Sequence, residues 1–248
     1  PVEKREDAIT LTIHEIFHTM FPFYMGTNET KYAWMDEGWA TIGEWLISPL
    51  IDTTMVDSYG VEQTGATSGT KNDSPITTLT TALKGAGVFT NSYPKAGMGY
   101  LFVKDYLGDS LFLKALHHYI QQWNGKHPLP ADFFNSMNAG AGENLNWFWK
   151  RWFFEEGVTD MAITAVTKND AGYAVTILNK SNKPMPVNLT LEYADGRRAE
   201  IRSTIGLWKS GAKSVVIQVP TLKKLKKVVL GSIHVPDRDR RDNSYIVK

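Results

Sequence analysis

Two histidines and a glutamate stand in the run His14-Glu15-Ile16-Phe17-His18. Four residues of α-helix turn through about 400°, so both imidazoles leave one face and can grip a single ion. Glu15 lies one step round, close enough to reach water on that ion without filling a ligand position. Six histidines and twelve glutamates in 248 residues put the chance expectation of this pattern at about 0.7 per cent. Two ordinary helix histidines, one of them buried and hydrogen-bonded, are the competing reading, and they leave a second observation unexplained. Catalytic zinc takes three protein ligands and keeps one open position. Glu37 supplies a carboxylate after 18 intervening residues that turn through Pro22 and Gly26.

The remaining candidates are weaker. Glu44 falls seven residues after Glu37 on the same helical face, as either a partner for a ligand histidine or one more solvated carboxylate. His117 and His118 diverge by about 100° on a helix and cannot chelate one ion, so both read as structural. His127 and His234 have no partner at ligand spacing, and Gly65, Gly69, Gly85 and Gly87 do not form a phosphate loop. The absence of cysteine excludes a disulfide scaffold, thiolate zinc clusters, iron–sulfur ligation and a cysteine nucleophile. Any metal must rest on His, Asp and Glu.

Helices must hold these side chains. Ile9, Ile13, Ile16, Phe17 and Met20 recur mostly three and four apart behind acidic residues, which predicts an amphipathic helix over 6–20 ending near Pro22. The same period predicts a helix over 34–48, stopped at Pro49. Residues 53–92 are rich in Thr, Ser, Gly and Asn and read as one long functional or mobile loop. Helical periods return over 95–107, 110–123, 130–140 and 144–157, which argues for a bundle. Beyond Gly157 the pattern alternates, and 161–166, 172–178, 186–193, 199–205, 213–219 and 226–233 read as short strands of an antiparallel sandwich.

Charge divides at the same place, with −7 over 1–157 and +8 over 158–248. The expected organisation is a helical domain over 1–157 and a β-sandwich domain over 158–248. Lys223, Lys224, Lys226 and Lys227 read as a solvated strand edge and not an anion patch, so no nucleic-acid partner is expected. No run approaches the ~20 apolar residues of a membrane span. The composition excludes disorder, collagen and coiled coil. The chain opens at Pro1, directly before the first helical pattern, and so reads as a piece of a longer protein.

The order H-E-x-x-H, eighteen residues, then E resembles the gluzincin metallopeptidases of the aminopeptidase N and leukotriene hydrolase family. Trp34-Met35-Asp36-Glu37-Gly38-Trp39-Ala40 is similar to that family's W-L-N-E-G-F-A, with Asp36 in place of the usual Asn. Tyr93-Pro94-Lys95-Ala96-Gly97 resembles its Y-E-K-G-A segment, with Pro94 and the exchanged Ala96-Gly97 as departures. Residues 106–123 and 130–154 resemble the helical stretch that follows the active site in that family.

The resemblance implies an α+β two-domain fold, the α-helical half of a thermolysin-like zincin catalytic domain followed by a small antiparallel β-sandwich. It implies one Zn2+ per chain on His14, His18 and Glu37, with Glu15 as general base and Tyr93 donating a hydrogen bond to the oxyanion. It implies a peptide substrate, aminopeptidase activity in the intact protein and a periplasmic or cell-envelope location. The family's G-x-M-E-N-type strand, which holds the substrate's amino group, has no counterpart in this sequence, and neither has the mixed sheet that lines its cleft. A thermolysin-like endopeptidase and a non-catalytic binding module are the alternatives, and the intact Glu15 argues against the second. The sequence leaves the oligomeric state open.

Overall fold

The structure, a computed structural model, describes residues 4–247, so Pro1 lies outside the described residues. The chain divides into two compact units, Pro1–Glu156 and Gly157–Lys248. Within the first, α1 (Arg5–Phe17) leads into a wide turn of π type over Thr19–Tyr24, broken by an extended Phe21. After α2 (Glu29–Tyr32) and a 3-10 turn over Ala33–Met35 comes α3 (Glu37–Ile51). Then follow α4 (Val61–Thr67), α5 (Ala86–Ser92), α6 (Pro94–Leu107), α7 (Asp109–Trp123), α8 (Pro130–Ala141) and α9 (Asn146–Phe153).

The third helix is central because it is buried nearly all round, through Gly38, Trp39, Ala40, Thr41, Ile42, Gly43, Trp45 and Ser48. Glycine lets its neighbours come close. A Cβ on Gly43 would lie 2.4 Å from the Phe17 ring of α1, and one on Gly97 of α6 would lie 2.7 Å from the Trp45 ring. Below this contact sits an aromatic core in which Trp39 stacks on Tyr100 at 4.3 Å and on Phe21 at 5.1 Å. The buried Tyr100 hydroxyl is satisfied by donating to the Trp34 carbonyl at 2.9 Å.

Three helix boundaries differ from expectation. The first helix stops at Phe17 because the extended Phe21 and the proline after it cannot continue a ladder. The second begins only at Glu37, after the 3-10 turn, and runs through Pro49 to Ile51. In a last turn the missing N–H of Pro49 forfeits only the bond to the Trp45 carbonyl, so the helix survives it. The polar stretch 53–92 is not one loop, since it carries α4, α5 and a 3-10 turn over Thr80–Ala82. Apart from Val61 and Ile76 its buried residues, such as Thr64, Gly65, Thr90, Asn91 and Ser92, are small or polar and give no apolar period to read.

The second unit holds β1 (Met161–Asn169), β2 (Gly172–Asn179), β3 (Val187–Tyr193), β4 (Arg198–Ser203), β5 (Ser214–Pro220), β6 (Leu225–Leu230) and β7 (Ser244–Ile246). They form two antiparallel sheets, ordered β1-β2-β5 and β4-β3-β6-β7. Strand β3 shows the two-residue period of a half-buried strand, with Val187, Leu189, Leu191 and Tyr193 turned inward. The Leu225 N–H donates to the Tyr173 hydroxyl at 3.1 Å and so ties one sheet to the other. The expected α+β class of a helical half and a small antiparallel sandwich is the one observed. The lysine reading is corrected. Lys226 and Lys227 belong to β6, an interior strand paired on both sides, while Lys223 and Lys224 precede it.

Candidate metal centre

Helix α1 carries His14 and Glu15, His18 is its C-cap and keeps helical backbone angles (φ −62°, ψ −19°), and Glu37 is the first residue of α3. Asp36 caps that helix by accepting from the Glu37 N–H at 2.7 Å, which fixes the backbone from which the Glu37 side chain departs. Burial pushes the Asp36 carboxyl up to about 7, against the opposing effect of that hydrogen bond.

The three side chains converge. His14 Nε2 lies 3.1 Å from Glu37 Oε2 and 3.1 Å from His18 Nε2, and His18 Nε2 lies 3.4 Å from Glu37 Oε2. Among the described residues, this is the group of His, Asp and Glu whose ligand atoms approach closely enough to hold an ion. Bonds of 2.0–2.1 Å to a tetrahedral ion place ligand atoms about 3.3 Å apart, which these separations match.

Each imidazole is also held from behind. His14 Nδ1 is hydrogen-bonded to the Glu44 carboxylate, and His18 Nδ1 to the Phe21 carbonyl at 2.7 Å. With each Nδ1 turned to an oxygen, each Nε2 faces the cluster and is the nitrogen an ion would take in place of a proton, the arrangement found for histidine ligands generally. Burial pulls the His14 pKa down, but hydrogen bonds and charge from Glu37 and Glu44 outweigh it and raise the group to about 9. Burial likewise opposes ionisation of Glu37, yet hydrogen bonds from His14 and Tyr93 hold its carboxyl below the ordinary value. The donor set is nitrogen and oxygen, suited to zinc. Two carboxylates, Glu37 and Glu44, would balance a divalent charge. The residues therefore fit the ion.

Tyr93 stands at the junction of α5 and α6 with non-helical backbone angles, φ −103° and ψ −90°. Its ring stacks on His14 at 6.1 Å and on Phe89 at 4.9 Å. Burial, and donation of its hydroxyl hydrogen to Glu37, push the phenol pKa up, so it remains a hydrogen-bond donor. Glu15 is exposed and lines a cleft of about 650 Å3 together with His14, Thr41, Glu44, Trp45 and Tyr93. The charge of Glu15 is felt at the Tyr93 hydroxyl.

All six residues singled out in the sequence thus meet at one place. His127 does not join them and instead bonds the Gly26 carbonyl at 2.9 Å. Sequence reasoning missed the Phe21 carbonyl behind His18, which has no side-chain signature. It also missed the capping role of Asp36, for which an acidic residue directly before a helix was the available signal.

The chain belongs to peptidase family M1, because the model of the Peptidase family M1 domain matches residues 1–152. This bears out the family resemblance carried by residues 14–40 and 93–97. Among solved structures, the crystal structure of Legionella pneumophila aminopeptidase A in complex with aspartic acid is similar, with a TM-score of 0.59 at 17% identity. The match covers 85% of this chain and 24% of that one, so the chain spans about a quarter of that protein's length. No curated protein matches the chain.

Proposed function

We propose that His14, His18 and Glu37 hold one zinc ion and that the site hydrolyses peptides, as an aminopeptidase in the intact protein. The observation that carries the reading is the convergence of His14 Nε2, His18 Nε2 and Glu37 Oε2 at 3.1–3.4 Å, with both imidazoles locked from behind. Membership of a peptidase family supports it. Zinc in such a place supplies Lewis acidity, polarising a carbonyl oxygen and acidifying water.

The chain's own residues do the rest. Glu15, on the open side of the cleft, accepts the proton of the attacking water as the oxygen–carbon bond forms. It then delivers that proton to the amine nitrogen as the carbon–nitrogen bond breaks. Tyr93 donates its hydroxyl hydrogen to the carbonyl oxygen as negative charge develops there. Between turnovers that hydrogen is directed to Glu37.

Two substitutions separate holding the metal from using it. Glu15→Gln leaves zinc content intact and lowers turnover of the intact protein at least about a hundredfold. Glu37→Gln loses the metal. Elemental analysis beside a steady-state assay reads both, and equal zinc loss in the two variants contradicts the roles. Amino-acid amide and N-acetylated substrates then distinguish an aminopeptidase, which acts only on the first, from an endopeptidase, which tolerates the second.

A further inference from the structure

Two residues before Tyr93 and two residues after it, side chains run into one buried polar cluster that the proposed chemistry does not use. Lys95 Nζ donates to Asp73 Oδ1 at 2.8 Å, to the Ser74 carbonyl at 2.9 Å and to Asn91 Oδ1 at 3.4 Å. Asn91 Nδ2 donates to Ser74 Oγ at 2.8 Å and to the Pro75 carbonyl at 3.2 Å. The second oxygen of Asp73 accepts from the Gly69 N–H at 2.9 Å. The Lys95 and Asp73 side chains are 5% and 2% exposed. From the other side, Trp152 Nε1 donates to the Lys95 carbonyl at 2.9 Å.

A buried ion pair is a weak source of stability, because apolar residues of equal volume often serve as well. What it supplies is direction, since charged hydrogen bonds fix both distance and angle. Direction matters here because Tyr93 is the shared cap of two helices, its N–H closing α5 on the Phe89 carbonyl at 3.0 Å and its carbonyl accepting from the Gly97 N–H of α6 at 2.9 Å. Its own angles are non-helical, so the aim of its side chain follows how the two helix ends are set. The clamp straddles that residue, with Asn91 anchoring the end of α5 and Lys95 the start of α6 to the same 73–75 segment.

We infer that Asp73, Lys95 and Asn91 are positioning residues for Tyr93, holding its hydroxyl in register with Glu37 and the carbonyl oxygen of the substrate. The inference rests on the Tyr93 role proposed above. A displacement of about 1 Å at a reacting group can cost a hundredfold in rate, so a clamp beside Tyr93 acts on catalysis without touching substrate.

The test uses the intact protein and the paired variant Asp73→Asn with Lys95→Met, which leaves no buried charge unpaired. Turnover is expected to fall about ten- to a hundredfold, with KM changed less than about threefold and zinc content equal. In a Tyr93→Phe background the same pair is expected to cost nothing further, because the two changes act through one group. A readout independent of activity accompanies this. In protein labelled with 3-fluorotyrosine, the 19F resonance absent from Tyr93→Phe identifies Tyr93, and it is expected to shift or broaden in the paired variant. An unmoved resonance with unchanged turnover overturns the inference, as does an equal loss of turnover in both backgrounds. A moved resonance with full turnover in Tyr93→Phe keeps the clamp and overturns the catalytic role of Tyr93 instead. Asn91→Leu, which removes no charge, is expected to move the same resonance and repeats the test if the pair misfolds.

Discussion

The corner that gathers His14, His18 and Glu37 and the corner that presents Tyr93 lie against one another, with ring centroids of His14 and Tyr93 6.1 Å apart. They are assembled by different means. In the first, two of the proposed ligands share one face of α1 and its C-cap through a helical period, and the third opens α3, which packs on α1 across Gly43. In the second, the tyrosine joins two helix ends with non-helical angles, and the residues two before and two after it are pinned by a buried cluster 17 and 22 residues back along the chain. Local periodicity can be written in a five-residue word. A junction held by tertiary hydrogen bonds cannot, and its sequence is correspondingly loose.

The contrast predicts how each corner breaks. The largest effect is expected at a ligand: His18→Ala removes one of three donors, and zinc stoichiometry measured after dialysis against trace metal falls from one per chain to near zero. Retained zinc would overturn the ligand set. Next comes Tyr93→Phe, expected to lower turnover and kcat/KM together by about 10²–10³, the scale of one lost oxyanion donor. Zinc content and melting temperature should hardly change, and normal turnover would return Tyr93 to a packing role. Glu44→Gln keeps the size of the side chain that backs His14 and removes its charge. Zinc affinity from chelator competition is expected to weaken about 10–100-fold, whereas an unchanged affinity would leave Glu44 a bystander. The smallest effect is expected from Gly43→Ala, which forces the Phe17 ring aside and costs about 1–3 kcal/mol of stability. Thermal unfolding reads that loss, and zinc affinity should fall by less than about tenfold. A variant as stable as the parent would show that α1 and α3 need not approach so closely.

Much of this arrangement was legible before any coordinates. Helical spacing alone placed His14 and His18 on one face, and Glu44 on the face of Glu37, because a rotation of about 100° per residue is a property of every α-helix. The antiparallel strands were legible for a similar reason, since β3 alternates buried and half-buried positions without interruption. Helices α4 and α5 were not legible, because apart from Val61 they bury threonine, asparagine, serine and glycine, which give no apolar period. Strand β7 was missed because three residues, Ser244–Ile246, are too few to show a period. Lys95 was read only as a letter in a motif. Its burial depends on Asp73, 22 residues earlier in a polar stretch whose composition says nothing about which carboxylate goes inside.

The two histidines differ in what stands behind them, and sequence drift would therefore wear them unequally. Behind His18 is the main-chain oxygen of Phe21 at 2.7 Å. Every amino acid carries that atom, so no point substitution at position 21 deletes it. Behind His14 is the carboxylate of Glu44, a side chain that one base change can replace. Half of the support is thus inherited with the chain path itself, while the other half must be renewed by selection at a single site. A lineage relaxing its hold on zinc would be expected to loosen first at position 44, long before the five-residue word on α1 showed any sign of it.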